Sequence, residues 1–364
     1  MSETVTAPPP TGTISALAPK KRSRAARLLL GRDAIMIYAL LVFVLYACIS
    51  IPRFASPVTV GFLLLDVIPV LLIAMPMTLV IITGEIDLSV ASIAGLTSAL
   101  MGVLWQAGLD MPLVLAISVA AGVVAGAFNG FLIAVVGLPS LAVTIGTLAL
   151  FRGLALVVIG DNAVANFPPD LTAFFTSKIG GTGIPTVMIG VLIVMVFFGV
   201  LLHFTPFGRG LYALGYSKEA ARFVGIKVAR SKFWLYVATG SVSALAGVYW
   251  TLRYSSARSD NASGLELAVI AAVLLGGVSI FGGKGSIPGV IAGVLLIGTI
   301  NYALRLGRVS DVVLIIVTGT LLILSVVTPS IFASVRRWQH DRQVRNSLPQ
   351  VTTSGSTRAE HPAH

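Results

Sequence analysis

Long apolar runs recur from Ala34 to Phe332, separated by short polar stretches. Each run has about the 17–25 residues that carry a helix across a hydrocarbon core. The pattern predicts spans at 34–51, 60–83, 88–106, 113–136, 139–159, 184–204, 233–252, 265–281, 288–304 and 311–329. Ten spans put both termini on the same side. The run at 288–304 is short enough to be re-entrant instead. Pro69 and Pro76 interrupt the second run, and small residues fill Ala121–Gly130 and Gly276–Gly293. Close helix packing is expected there, with the backbone groups freed by proline met inside the bundle. G-V-V-A-G-A-F-N-G at 122–130 and G-V-L-L-I-G-T-I-N at 293–301 echo each other, as a repeated half would and as an apolar chain also does by accident.

One polar interruption stands apart, Thr205 to Lys232. It carries Arg209, Lys218, Arg222, Lys227, Arg230 and Lys232 against a single acid, Glu219. Within it, Ser217 to Val224 predicts a short helix. Ser217 can cap its first turn, Glu219 faces the positive end of its dipole, and Gly225 supplies the stop. Ala220 and Ala221 keep part of that helix slim, so another surface could approach closely. Two readings stand: a solvated loop that fixes topology, or a helix that docks a soluble partner.

Composition removes the soluble alternatives. The 364 residues are 56% hydrophobic and 11% charged, with mean hydropathy +0.95, which marks a polytopic helical membrane protein. The formal charge of +11 does not make a nucleic-acid face, because the basic residues cluster at Lys20–Arg32, in the 205–232 island and from Arg336 onward, each beside a span. Of the 25 Lys and Arg, 18 fall on the side of the island, six on the other, and Arg152 lies within a span. That asymmetry puts the island in the cytoplasm. Trp105, Trp234, Trp250 and Trp338 fall at span ends, where interfacial tryptophans are expected. Residues 1–33 read as a disordered, basic cytoplasmic tail, 34–332 as the transmembrane domain and 333–364 as a second cytoplasmic tail. Ile51-Pro52-Arg53 is a poor cleavage site, so the first apolar segment is expected to remain as an anchor. The single cysteine, Cys48, permits no intrachain disulfide.

Enzyme chemistry finds little support. There is no H-E-x-x-H, and His203 at a span end is the one histidine near membrane depth. The run 276–286 resembles a phosphate loop only superficially, since Val278 and Gly285 stand where glycine and Ser or Thr are required. The residues of interest are polar groups at membrane depth or its edge. Asp87 or Ser89 could cap the following helix, or with Glu85 form a hinge or gate at the cytoplasmic mouth. Asn129, Thr144, Thr147, Arg152 and Asn301 lie within apolar runs. An arginine in hydrocarbon costs ~3 kcal/mol on insertion scales, so Arg152 must face protein or water. It either pairs with a structural carbonyl or carboxylate or touches the solute. Glu266 opens a span, where it favours the N-terminal dipole.

Four stretches carry a family resemblance, in order over about residues 60–330. I-T-G-E-I-D-L-S-V-A-S-I-A-G (82–95) resembles the T-G-G-I-D-L-S-V-G-S motif of ribose- and xylose-type permeases of bacterial ABC importers. N-G-F-L-I-A-V-V-G-L-P-S-L-A-V-T-I-G-T-L-A-L-F-R-G-L-A (129–155) is similar to their next signature. L-G-x-S-K-E-A-A-R-x-x-G-I resembles their coupling-helix loop, and L-E-L-A-V-I-A-A-V-L-L-G-G-V-S-I-F-G-G-K-G-S (265–286) their E-L-x-x-I-A-A-V-x-x-G-G block. Glu85 and Ala91 replace glycines of the first motif. S-A-R-S-D (256–260) and M-P-M-T-L-V-I (75–81) lean toward the rhamnose- and autoinducer-2-type members.

The resemblance implies an all-α, type II ABC importer-like bundle with a short cytoplasmic coupling helix, in the bacterial inner membrane. It also implies partners: ATPase subunits that hold ATP and Mg, a second permease (the same chain or a sister), and a periplasmic binding protein delivering a monosaccharide. This chain itself would bind no cofactor and have no catalytic site. Gly215, Ser217, Glu219, Ala220, Ala221, Arg222 and Gly225 are then the expected ATPase-coupling residues, and Glu85, Asp87, Ser89, Asn129, Thr144, Thr147, Arg152 and Asn301 the expected path or gate. The competing class is an ion-coupled secondary transporter, against which the scarcity of carboxylates in the spans weighs.

Overall fold

The computed structural model describes residues 32–347. The expected N-terminal tail, apart from Arg32 and Asp33, lies outside the described residues, as does the stretch after Ser347. Among the described residues the chain is helix and loop, with no strand beyond two isolated bridges, Val164–Ala257 and Lys178–Pro185. The helices are α1 (Arg32–Ser50), α2 (Pro57–Ile82), α3 (Val90–Gln106), α4 (Met111–Ala134), α5 (Ser140–Ile159), α6 (Pro169–Thr176) and α7 (Met188–Phe204). There follow α8 (Pro206–Tyr216), α9 (Lys218–Phe223), α10 (Val228–Tyr254), α11 (Leu265–Leu275), α12 (Ile287–Leu306) and α13 (Asp311–Ser347). The last runs unbroken through the tail boundary at 332/333.

Among the described residues, six helices are long and apolar enough to cross a membrane: α1, α2, α4, α5, α10 and α12. α7 and α8 form a pair bent by 68°. α12 is a continuous helix of 20 residues, so the re-entrant expectation at 288–304 is not met. The irregularity lies one element earlier. α11 stops at Leu275 rather than 281, and its 11 residues rise only ~16 Å.

α2 is the axis of the bundle, packed by α7, α8, α10, α11 and α12. Its second half, from Val67, is buried and apolar on every side, as a stretch of helix with no solvent or lipid face must be. Pro69 removes the N–H that would bond the Leu65 carbonyl. The Tyr249 hydroxyl of α10 donates to that carbonyl instead, at 2.7 Å. The expectation that proline-freed groups are met inside the bundle holds at this position. α4 and α10 cross in backbone contact: a side chain on Gly126 would collide with the Tyr236 carbonyl and Gly240, and one on Gly240 with Gly122 and Gly126. The small-residue run at 121–130 is that seam. α1 by contrast leaves most of its apolar surface outward.

Candidate functional site: a buried polar knot beneath the coupling helix

The loops 83–89, 205–227 and 276–286 gather at one end of the bundle, called here the near end. Ser217 accepts a hydrogen bond from Ala220 N at 3.1 Å and starts α9; Gly225, at φ +83°, ends it. The short helix forms where its capping signals put it. Thr205 caps α8 in the same way, accepting from Gly208 N at 3.2 Å behind Pro206. α8 then seats on the end of α2. A side chain on Gly215 would collide with the Ile82 carbonyl and Gly283 N, Gly283 N donates to Ile82 O at 2.8 Å, and the Tyr212 hydroxyl donates to Gly285 O at 2.7 Å.

The island therefore has two sides. Gly215 and Ala221 face the protein, Ala221 packing with Leu214, Ile226 and Val228. Lys218, Glu219, Ala220, Arg222, Phe223 and Val224 face outward, with Phe223 92% exposed. Glu219 accepts from the Ser217 hydroxyl at 3.1 Å. Its own backbone N–H and then that hydroxyl hold its carboxyl below the ordinary value.

Beneath α9 lies the loop from Thr83 to Ser89. Asp87 is fully buried. One carboxylate oxygen accepts from Ser89 N (3.0 Å) and the Ser89 hydroxyl (2.6 Å), the other from the Thr239 hydroxyl of α10 (2.7 Å). Ser89 in turn accepts from Asn129 Nδ2 of α4 at 2.8 Å. The Ile86 carbonyl accepts from Tyr236 of α10 (3.3 Å) and Thr144 of α5 (3.4 Å), and Ile86 N donates to the Ser140 hydroxyl. Glu85 pairs with Lys232 of α10 and, at 3.1 Å, with Lys218 of α9. Burial pushes the Glu85 carboxyl up, but hydrogen bonds from Lys232 and Ser140, with the charges of Lys232 and Lys218, hold it below 4.5. Seven residues of loop thus fasten α3, α4, α5, α10 and the short α9 to one another. Buried polar groups of this kind stabilise only when partnered.

Glu85, Asp87, Ser89, Asn129 and Thr144 are brought together here. Capping of α3 by Asp87 or Ser89 is corrected: Ser89 occupies the cap position but its side chain makes no capping bond, because Asp87 and Asn129 engage it. Thr147 is buried a turn along α5, and its hydroxyl donates to the Thr144 carbonyl of the same helix. Arg152 belongs to a different place. Its guanidinium donates to the carbonyls of Ser259 (2.7 Å), Asn261 (2.8 Å) and Ala91 (3.4 Å), so it holds backbone, one of the two roles open to it. Asn301 sits on α12, a helix packed against α1, α2 and α11; its side-chain oxygen is buried and has no hydrogen bond among the described residues.

Pattern reasoning passed over Lys232, Tyr236 and Thr239 as partners. They recur at i, i+4 and i+7, one face of α10, which is the signal that could have found them. It also passed over Asp66, a carboxylate within the second run, which pairs with Arg253 of α10 at 2.5 Å and reaches Arg305 of α12 at 3.5 Å.

Known proteins of similar sequence are import permeases. LsrD of Salmonella typhimurium, an autoinducer 2 import system permease protein, is 35% identical over 304 residues, 82% of this chain and 91% of that protein. LsrD of Photorhabdus laumondii is 35% identical over 290 residues, 76% and 86% of the two chains. The ribose import permease protein RbsC of Bacillus subtilis is 39% identical over 286 residues, 78% of this chain and 89% of its own. No solved structure matches. The family model described as "Branched-chain amino acid transport system / permease component" matches residues 59–326, and this multi-pass membrane protein belongs to that permease family.

Proposed function

We propose that the chain is the membrane-spanning subunit of an ATP-driven importer of a small polyhydroxylated solute, in the bacterial inner membrane with both termini cytoplasmic. The relatives named for autoinducer 2 and ribose import support a solute of that class; the lean toward a rhamnose-like sugar rests on the stretches at 75–81 and 256–260. Ten crossings follow if the six long helices, the bent pair counted once, and the three shorter apolar helices Val90–Gln106, Leu265–Leu275 and Val312–Val327 all span, with α11 completed by loop.

One observation carries the reading: the exposed α9 is joined through Lys218 and Glu85 to the buried knot among α3, α4, α5 and α10. A partner ATPase that pulls on α9 thereby moves the helices that would frame the path, a rigid-body switch between two access states. ATP and Mg reside on that partner, and a periplasmic binding protein supplies the solute to two permeases.

The test is gentle extraction from native membranes followed by mass spectrometry of what co-purifies. An ATPase subunit is the expected companion, and the presence or absence of a second permease sequence decides between homodimer and heterodimer. A chain that remains alone after mild crosslinking, and whose uptake stops when the proton gradient is collapsed with ATP maintained, is an ion-coupled transporter instead.

A further inference from the structure

The segment 255–264 joins α10 to α11 without helix, and it does not stay at the far end of the bundle. Ala257 lies against Gly102 of α3 and is bridged to Val164, whereas the Asn261 carbonyl lies against Gly95. Seven residues of helix separate those two levels, ~10 Å. Asn261 therefore sits roughly two-thirds of the way along α3 from its far end, and α11 completes the crossing from there. Non-helical backbone at that depth survives only where protein or water satisfies it. On its inner side it is satisfied: Arg152 holds the carbonyls of Ser259 and Asn261, and Asn261 Nδ2 donates to the Ser98 hydroxyl (2.8 Å) and the Ser256 carbonyl (2.9 Å).

The other side is open. The Arg258 and Asp260 side chains are 53% and 61% exposed and form a two-pronged pair, Nε to Oδ1 at 2.7 Å and Nη2 to Oδ2 at 3.0 Å. Ser263 is exposed beside them. Glu266 has a buried carboxylate oxygen that accepts no hydrogen bond among the described residues. A charge turned toward lipid at such depth costs ~2.5–3.5 kcal/mol on insertion scales, so this edge does not face lipid.

We propose that Arg258, Asp260, Ser263 and Glu266 line the solute path and bind neighbouring hydroxyl groups of a polyhydroxylated solute, the carboxylates accepting and the guanidinium donating. This rests on the importer reading and adds the place where the solute touches the chain.

The experiment uses the whole complex in membranes, in a Cys48→Ser background, with single cysteines introduced as Asp260→Cys, Ser263→Cys and, on the outward face of α7, Ile193→Cys. A membrane-impermeant cationic methanethiosulfonate is expected to modify positions 260 and 263 at least tenfold faster than 193. Equal rates overturn the assignment to the path, as they would if a second copy sealed this edge. Radiolabelled ribose, rhamnose and xylose are then offered to cells carrying Asp260→Asn or Arg258→Gln. Maximal uptake of whichever sugar the unaltered protein imports is expected to fall at least tenfold while the co-purifying ATPase is retained; unchanged uptake overturns the binding role. If the unaltered protein imports none of the three, those sugars are removed as its solute, and the labelling still decides the path because it needs no solute.

Discussion

Two of the non-helical stretches of this membrane protein, 83–89 and 255–264, are held under different terms. The first is enclosed. Asp87 has no cation among its hydrogen-bond partners and is stabilised by two hydroxyls and an N–H, while Glu85, two residues earlier, is held by two lysines from other elements. The second is held on one side only, by Arg152 and Asn261, and open on the other. Enclosure suits a joint that transmits motion; one-sided support suits a surface that meets a mobile solute. Irregular backbone in a membrane protein is informative for that reason, since each unpaired group must be accounted for.

The largest expected effect breaks the open segment. Arg152→Leu removes the guanidinium's bonds to the backbone carbonyls of Ser259, Asn261 and Ala91, at ~1.5–3 kcal/mol for each bond to a charged group, and should abolish recovery of folded complex in detergent. Arg152→Lys should recover part of it, because an ammonium cannot reproduce the planar fork. Next comes the enclosed joint. Asp87→Ala strands the N–H and hydroxyl of Ser89 at about 1–3 kcal/mol each, whereas the Thr239 hydroxyl keeps the Tyr236 carbonyl; the loss is read as a lowered thermal midpoint, with Thr239→Val the milder version.

Glu85→Gln sharpens the comparison, because it should spare folding more than Asp87→Ala yet separate ATP hydrolysis from uptake: hydrolysis persists and transport falls severalfold. Its pH dependence has a definite sign. The folded carboxyl titrates below its ordinary value of 4.5, so the stabilisation is fully present above about pH 4.5 and is lost as pH falls through the lower, folded value. The difference in thermal midpoint between the unaltered protein and Glu85→Gln should stay flat from about pH 8 to 5 and shrink only below that. Glu219→Arg, on the outward side of α9, should abolish uptake without disturbing membrane insertion; wild-type transport in that variant removes α9 from the dock. The smallest effect is Ser217→Ala, ~1 kcal/mol of local helix stability, read as a modest loss of uptake with an unchanged thermal midpoint.

Much of this was legible in the chain, and the exceptions have physical causes. α9 could be read residue by residue because Ser217, Glu219 and Gly225 act on their own neighbours, and capping is local. The knot was legible as a set of polar residues but not as an assembly. Glu85 and Lys232 are 147 residues apart, and nothing local to either names the other. The dip at 255–264 was not legible, since hydropathy averages Leu265–Phe281 into one run and cannot see that the helix stops at Leu275. Arg152 was recognised as a problem needing a solution. That the solution is a pair of carbonyls in a distant loop is information only the fold contains.

The seam between α4 and α10 restricts how this protein can change shape. Where Gly126 and Gly240 leave only backbone between two helices, there is no layer of side chains to shear or re-sort, and sliding one helix past the other would lift Ala244 and Phe233 of α10 onto the backbone of α4. The pair must travel as a single plank. Any alternation of access has to pivot at its borders, and a residue as small as alanine at position 126 would act as a shim, changing the angle of every helix attached to that plank.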